Sequence, residues 1–415
     1  MVLRLLLVFS VVAMSSGNLL AQSQFDPAPK MREWVSTLCS PTYFGRGYEK
    51  NGCERAGRTI GHFLDQLQMD TIWFNRYQRY SFSVVEHAKR PYLKSKSGNI
   101  LLGEHFIPHP ASPKSTGKGQ LVDPLLSGRE SQEELLHRIA RAREKNEFWI
   151  IPDTGFWAKA WSTKKLLNQY QVVFWEQEKL TGHIASSTTN TPSFYIHTNQ
   201  VNPGDLVKYR TTGQETETEQ TNIAGVIRGK SDSLIVLTAH YDHIGGYGKS
   251  VYVPGANDNA SGTALLLTFA EWLSAQNDLA NYSIAFVFFS GEEAGLKGSK
   301  YFVDNLDSTA AIKYVLNLDL VGTGEDGITV VNAVEEPELF DEISTKGASL
   351  FSSIKRRGQA ANSDHYWFHT KGIPALFIYG MGKRTAYHDV SDTPETMPQP
   401  KASAYFELLK KLCYE

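Results

Sequence analysis

The chain has 415 residues, 41% of them apolar and 21% charged, with a formal net charge of -2, the composition of an ordinary folded protein. That balance, with no basic run, excludes a nucleic-acid track, and the length leaves room for one large α/β domain with an insertion. At the amino terminus Arg4 precedes an apolar run from Leu5 to Met14 and small residues up to Ala21. This is the pattern of a secretory signal peptide, and its apolar core is too short to span a membrane. Residues 1–21 are therefore expected to be cleaved near Ala21. No later apolar run reaches spanning length, so an exported protein without a membrane span, periplasmic or extracellular, is expected. Cys39, Cys53 and Cys413 allow one bridge in an oxidising compartment. A Cys39 to Cys53 bridge would contribute about 3 kcal/mol through loop entropy; the alternative is free thiols throughout.

From Met31 to Leu67 the pattern is helical, broken between Ser40 and Gly52 where Pro41, Gly45, Gly47 and Gly52 force a loop. Arg46 in that loop reads as a solvated arginine, with contact to a ligand as the alternative. Thr71 to Val85 alternates aromatic and polar residues and is expected to add a strand to a sheet. Prolines and glycines from Pro108 to Gly119 look like a linker, followed by a charged helix over Glu133 to Lys145 and a strand over Phe148 to Ile151. The stretch from Leu102 to Asn199 carries Trp149, Trp157, Trp161 and Trp175 and no ligand spacing. It reads as a lid or small subdomain beside a site, or else as a widening of the main core.

The remaining chain alternates strands and helices. Asn222 to Ile227 is a strand expected next to Leu234 to Ala239, which ends in His240-Tyr241-Asp242. The polar turn Gly255 to Gly262 opens an apolar helix to about Ser274. Strands follow at Ser283 to Phe289, ending in Ser290-Gly291-Glu292-Glu293, at Tyr314 to Leu318, ending at Asp319, and at Ala375 to Tyr379. This is an α/β pattern: a mixed, largely parallel central sheet flanked by helices, with an inserted lid or subdomain. The expected division is 1–21 signal peptide, 22–101 and 200–415 the two parts of the main domain, and 102–199 the insert. Ligands bind such sheets outside the carboxyl ends of the strands, where these acidic and His residues fall.

Singly, each acidic residue has an ordinary explanation as a helix cap or a solvated side chain. Together, His240, Asp258, Glu293, Asp319 and the downstream His388 offer the nitrogen and oxygen donors that suit zinc. Two ions carry +4, three carboxylates supply −3, and a hydroxide would close the balance, which makes burial far less costly. His243 reads as a pocket-lining or structural residue. Ser363 and Asp364 read equally as helix caps, Asp392 as an orienter of His388 or a turn residue, and His369 as ordinary surface.

The set His240-Tyr241-Asp242, Gly255 to Gly262, Gly291-Glu292-Glu293, Asn317-Leu318-Asp319, Ser363-Asp364-His365 and Tyr387-His388 resembles the M28 family of zinc aminopeptidases in order and spacing. The resemblance implies a zinc-exopeptidase fold of the phosphorylase/hydrolase-like kind and hydrolysis at the amino terminus of peptides. It implies that His240 and Asp319 bind one Zn²⁺, that Glu293 and His388 bind a second, and that Asp258 bridges them. Glu292 would be the general base, Asp242 would hold the His240 ring, the Asp258-Asn259 link would be cis, and Tyr379 or Tyr387 would donate to the oxyanion. Peptides with a free amino terminus are the implied partners, acted on by a metal-activated water. A single-zinc glutaminyl cyclase-type acyltransferase, a carboxypeptidase of the same superfamily and a non-catalytic ectodomain of the transferrin-receptor kind are the alternatives. The complete ligand set favours the peptidase.

Overall fold

In a computed structural model of the chain, residues 25–95, 98–127, 129–153, 160–306, 311–397 and 399–415 are described. The expected signal peptide and Trp157 lie outside the described residues. The strands run in chain order β1 (Tyr77–Glu86), β2 (Tyr92–Ser95), β3 (Gly98–Ile100), β4 (Phe106–Pro108), β5 (Ser115–Val122), β6 (Glu147–Pro152), β7 (Val173–Gln177), β8 (Ser193–His197) and β9 (Leu206–Thr211). They continue as β10 (Gln214–Ile227), β11 (Ser231–His240), β12 (Gly246–Tyr247), β13 (Val251–Tyr252), β14 (Tyr282–Phe289), β15 (Ile312–Leu318), β16 (Gly327–Val331), β17 (Ile354–Arg356) and β18 (Ala375–Met381). The main sheet has eight strands in the order β1-β10-β14-β11-β15-β18-β16-β17. Its centre, from β14 through β11 and β15 to β18, is parallel, and antiparallel pairings join β10 to β14 and β16 to β18.

The central strands are apolar along most of their length, as suits strands covered on both faces. Alternation sends Ile235, Leu237 and Ala239 of β11 and Ile284, Phe286 and Phe288 of β14 into one core, where they meet the helix Ser261–Ser274 and the helices Pro27–Leu38 and Ala402–Cys413. Leu234, Val236, Ala285, Val287 and Phe289 point the other way and pack on Phe302 and Phe368, from the helices Lys297–Asp304 and His365–Thr370. The helix Ser261–Ser274 is buried on almost every side, which is why its sequence reads as one apolar run.

Two expectations are corrected here. Asn222 to Ile227 does not lie beside Leu234 to Ala239: β14 intervenes, pairing antiparallel with β10 and parallel with β11. The short link between β10 and β11 crosses the start of β14 through Gly229, where a Cβ would sit 2.2 Å from the Tyr282 carbonyl oxygen, so only glycine allows this crossing. In the stretch Thr71 to Val85, the strand begins only at Tyr77 and forms an edge of the main sheet. The early helical region divides as expected, into Pro27–Leu38 and Gly52–Gln66.

The insert builds a second eight-stranded sheet, in the order β3-β2-β9-β5-β6-β7-β8-β4. Its strands run from Tyr92 to Thr211, wider than the 102–199 read from sequence, because β2 and β9 pair with each other across the whole segment. It has a core of its own around Phe106, Trp149, Phe174, Trp175 and Phe194, so it is a subdomain with a separate interior. Cys39, Cys53 and Cys413 are free and buried. No described helix is long and apolar enough to cross a membrane.

Candidate metal centre

The parallel strands deliver their ends to one place. His240 closes β11, Glu292 and Glu293 follow the turn after β14, and Asp319 follows β15. Asp258 lies in the turn before the helix Ser261–Ser274, and His388 in the loop after β18. Gly255 makes that turn possible: its φ is +63°, and a Cβ there would lie 2.3 Å from the Asp258 carbonyl oxygen. The Asp258-Asn259 peptide is cis.

The structure brings these side chains into two groups that share Asp258, and His243, read from sequence as pocket-lining or structural, joins the one that holds Glu293 and His388. In one, His240 Nε2 lies 3.3 Å from Asp258 Oδ1 and 3.5 Å from Asp319 Oδ1. In the other, His388 Nε2 lies 2.9 Å from Asp258 Oδ2 and 3.1 Å from Glu293 Oε2. Ligand atoms about 2.1 Å from a tetrahedral ion are roughly 3.4 Å apart, so both groups have the span of a zinc site. Two further observations fit a metal. His240 Nε2 and Asp319 Oδ1 are buried with no hydrogen-bond partner, a state polar atoms seldom keep in a folded protein. Both imidazoles are also held in one tautomer: His240 Nδ1 donates to the Asp242 carbonyl at 3.2 Å and His388 Nδ1 to the Gly182 carbonyl at 3.0 Å. Each ring therefore turns Nε2 inward, where loss of its proton would free a lone pair for a metal. Glu292 belongs to neither group; its Oε2 stands 4.0 Å from His240 Nε2.

Electrostatics separates the four carboxyls. Burial raises all of them, and it prevails for Glu292, held well above the usual range, and for Asp319. For Asp258 the neighbouring imidazoles of His240 and His388 outweigh burial, and its carboxyl stays well below the usual range. Glu293 is likewise drawn down to about 2, against burial, by His388 and His243. Burial would lower His388, yet Glu293 and Asp258 lift it to about 11. The group is thus a set of charged pairs in which protons on the imidazoles occupy the place a cation would take.

The surrounding residues depart from several expectations. Asp242 does more than hold His240, from which its Oδ1 is 3.6 Å away. Its carboxylate accepts from Tyr48 Oη at 2.6 Å and from the backbone N–H groups of Glu292 and Glu293, tying β11 to the turn after β14. Asp392 does not orient His388. It accepts from the Asn257 and Asp258 N–H groups and from Arg384 at 2.6 Å, and so fixes the Asp258 turn. Ser363 and Asp364 do not cap their helix through side chains. Ser363 Oγ instead donates to Asp319 Oδ2 at 2.9 Å and accepts from Asn317, while buried Asp364 is raised to about 7 by its burial. His365 is buried against Phe377, and His369 is partly buried, 3.9 Å from Glu336. Arg46 is fully buried: it donates to the carbonyls of Tyr241, Pro254, Gly255 and Asp258, so the expectation of a solvated side chain is wrong. His243 is a buried partner of Glu293, with Nδ1 2.6 Å from Oε1. Adjacency to the His240 motif was its only signal in the sequence. Tyr387 stacks on His388, with ring centroids 3.9 Å apart. Its phenol is raised first by burial and then by the charges of Asp258, Glu293, Asp319 and Glu292, whereas the Tyr379 hydroxyl accepts from Arg357 at 3.3 Å.

Fold and site together define an α/β protein of the class that gathers paired imidazole and carboxylate groups at the carboxyl edge of a parallel sheet. Residues 222–413 match the model of Peptidase family M28. Over those residues the chain is similar to that family. It is 31% identical over 215 residues to aminopeptidase YwaD of Bacillus subtilis, a match covering 48% of this chain and 45% of the relative. It is 29% identical over 210 residues to a probable leucine aminopeptidase of Arthroderma otae, covering 48% of this chain and 59% of the relative. The chain thus spans about half the length of the curated relatives it matches. A zinc aminopeptidase structure from Bacillus subtilis superposes with a TM-score of 0.66 at 20% identity, covering 94% of this chain and 95% of that one. A glutaminyl cyclase from Bacteroides thetaiotaomicron shares the fold more distantly, with a TM-score of 0.52 at 13% identity over 94% of this chain and 98% of that one.

Proposed function

We propose that this protein is an exported zinc aminopeptidase that hydrolyses the peptide bond after a free amino-terminal residue. The observation that carries the reading is the pair of buried groups sharing Asp258, with Glu292 beside them and outside both. In this reading His240 and Asp319 hold one zinc, Glu293 and His388 hold a second, and Asp258 serves both. Zinc bound there supplies Lewis acidity, which polarises a carbonyl and makes water a nucleophile near neutral pH. The relatives named as aminopeptidases support the reaction class.

The protein's own groups divide the remaining work. Glu292 takes the proton of the attacking water on a carboxylate oxygen and passes it to the leaving amine, so that the peptide bond breaks as the new C–O bond forms. Its position outside both groups leaves that oxygen free for the transfer. Tyr387, stacked on His388, is the donor suited to the oxyanion of the tetrahedral intermediate. Asp242, Asp392, Ser363 and His243 each hold a ligand or its backbone in place. Export rests on the amino-terminal pattern of Arg4 and Leu5 to Met14.

The test is a substrate panel on the zinc-loaded protein: peptides with free amino termini, the same peptides acetylated, and a Gln-initiated peptide. Release of the first residue from the free peptides alone is expected. Cyclisation of the Gln peptide without hydrolysis, or trimming of acetylated peptides from the carboxyl end, would overturn the assignment.

A further inference from the structure

Among the described residues, a strap from the second sheet reaches the metal centre. Leaving β7 at Gln177, the chain runs against the loop that carries Tyr387 and His388. Lys179 Nζ donates to the carbonyls of Thr385 and Tyr387, the latter at 3.0 Å, and pairs with Asp389 Oδ2 at 2.8 Å. Three residues on, Gly182 N–H donates to the His388 carbonyl at 2.8 Å while its own carbonyl receives His388 Nδ1. His388 needs this support, because its φ of 54° lies in the left-handed region that residues with a Cβ seldom adopt. Within the loop the Tyr387 N–H donates to Asp389 Oδ2 at 3.2 Å, the same oxygen that Lys179 pairs with, and the carbonyls on both sides of that torsion are bound by the strap. Lys179 takes the Tyr387 carbonyl and Gly182 the His388 carbonyl.

We infer that Lys179 is a positioning residue for the His388 side of the metal centre, and that the second-sheet subdomain thereby completes the centre. The inference rests on the reading of His388 as a zinc ligand. It assigns the strap a selective effect. The group of His240, Asp258 and Asp319 receives no contact from Lys179 or Gly182, so loss of the ammonium loosens one ion and spares the other. Gly182 acts through its backbone and cannot be tested cleanly, since a Cβ would meet Tyr247 Oη at 3.0 Å and Ile244 Cγ2 at 3.2 Å. Lys179 can be tested: its side chain is 40% exposed, so removing its charge leaves the core packed.

The experiment is a zinc titration of the metal-free full chain against a competing chelator, for wild type, Lys179→Met and Lys179→Arg, with kcat and KM measured at limiting and saturating zinc. Lys179→Met should bind one ion as wild type does and the second about 10-fold more weakly, the low end of what partners of a ligand contribute to metal affinity. Its kcat should fall at limiting zinc and recover at saturation with KM nearly constant, and Lys179→Arg should restore most of the affinity. Equal binding of both ions by Lys179→Met, with unchanged kinetics, overturns the inference. So does equal weakening of both ions without rescue by Arg, which is the mark of a general loss of structure. A wild type that saturates at one ion overturns the two-zinc reading instead, and the strap's role with it.

Discussion

Glu292 and Glu293 are adjacent and chemically identical, yet their surroundings divide them. Glu293 is gripped by His388 at 3.1 Å and His243 at 2.6 Å, while the closest imidazole to Glu292 stands at 4.0 Å. Glu292→Gln should therefore keep both metal ions and lose turnover by a factor on the order of 10² to 10⁴, the usual worth of general acid-base catalysis. Glu293→Gln removes a ligand charge, so one zinc should bind much more weakly and added zinc should partly restore the rate. Metal content and turnover of both variants, measured side by side, check this; a Glu292→Gln protein that loses metal while Glu293→Gln stays loaded and inactive would reverse the roles. A pH dependence belongs to the same residues. In the metal-free protein Glu293 and Asp258, overcoming burial, raise His388 to about 11, so at neutral pH Nε2 carries a proton that zinc must displace. The sign follows: zinc affinity falls as pH falls, by about tenfold per unit for each proton displaced. Competition titrations spanning about two pH units around neutrality read this directly, and an affinity that does not move with pH would contradict it. Without metal the same pairing stabilises the fold at pH below the ordinary histidine value and is lost as pH climbs through about 11.

At the level of elements, the strand ends were legible and their supports were not. His240, Glu293 and Asp319 follow apolar runs buried on both faces, a pattern that announces a parallel strand and the position of its carboxyl end. Arg46 gave no such signal. It sits in the loop between two helices and acts on carbonyls as many as 212 residues away, contacts that no local pattern records. The same is true of Ser363 on Asp319 and of Gly182 on His388, which are 44 and 206 residues apart. Being buried and surrounded by carbonyls, Arg46 should be costly to replace. Arg46→Met would leave several acceptors unpaired, each worth about 1–3 kcal/mol when buried. Denaturant unfolding of the metal-free variant should show a loss of about 3 kcal/mol or more; a loss within about 0.5 kcal/mol, as for a surface change, would contradict the clamp.

On the scale of the whole molecule, the two sheets differ in how openly the sequence declares them. The main sheet alternates long apolar strands with helices, and its class could be read directly. The second sheet hides its limits, because β2, β5 and β9 mix polar and apolar residues: β5, for example, keeps only Gly119 and Leu121 buried. Its interior was visible only as a density of tryptophan, and its pairing of Tyr92 with Arg210 joins segments that a linear reading separates. The order of β10, β14 and β11 was misread for a related reason, since neighbours in sequence pair often but not always. What the whole molecule adds to the site is closure: the main sheet supplies every side chain of both groups, and the second sheet supplies the carbonyl that fixes His388.

Metal stoichiometry linked to turnover tests the paired metal groups most directly. Zinc should be added stepwise to the metal-free chain, with bound metal and release of amino-terminal residues followed together. Two ions per chain are expected at saturation, one for each of the groups that share Asp258, with full hydrolysis only when both are bound. Saturation at a single ion with full turnover, or with cyclisation of an amino-terminal Gln in place of hydrolysis, would contradict it.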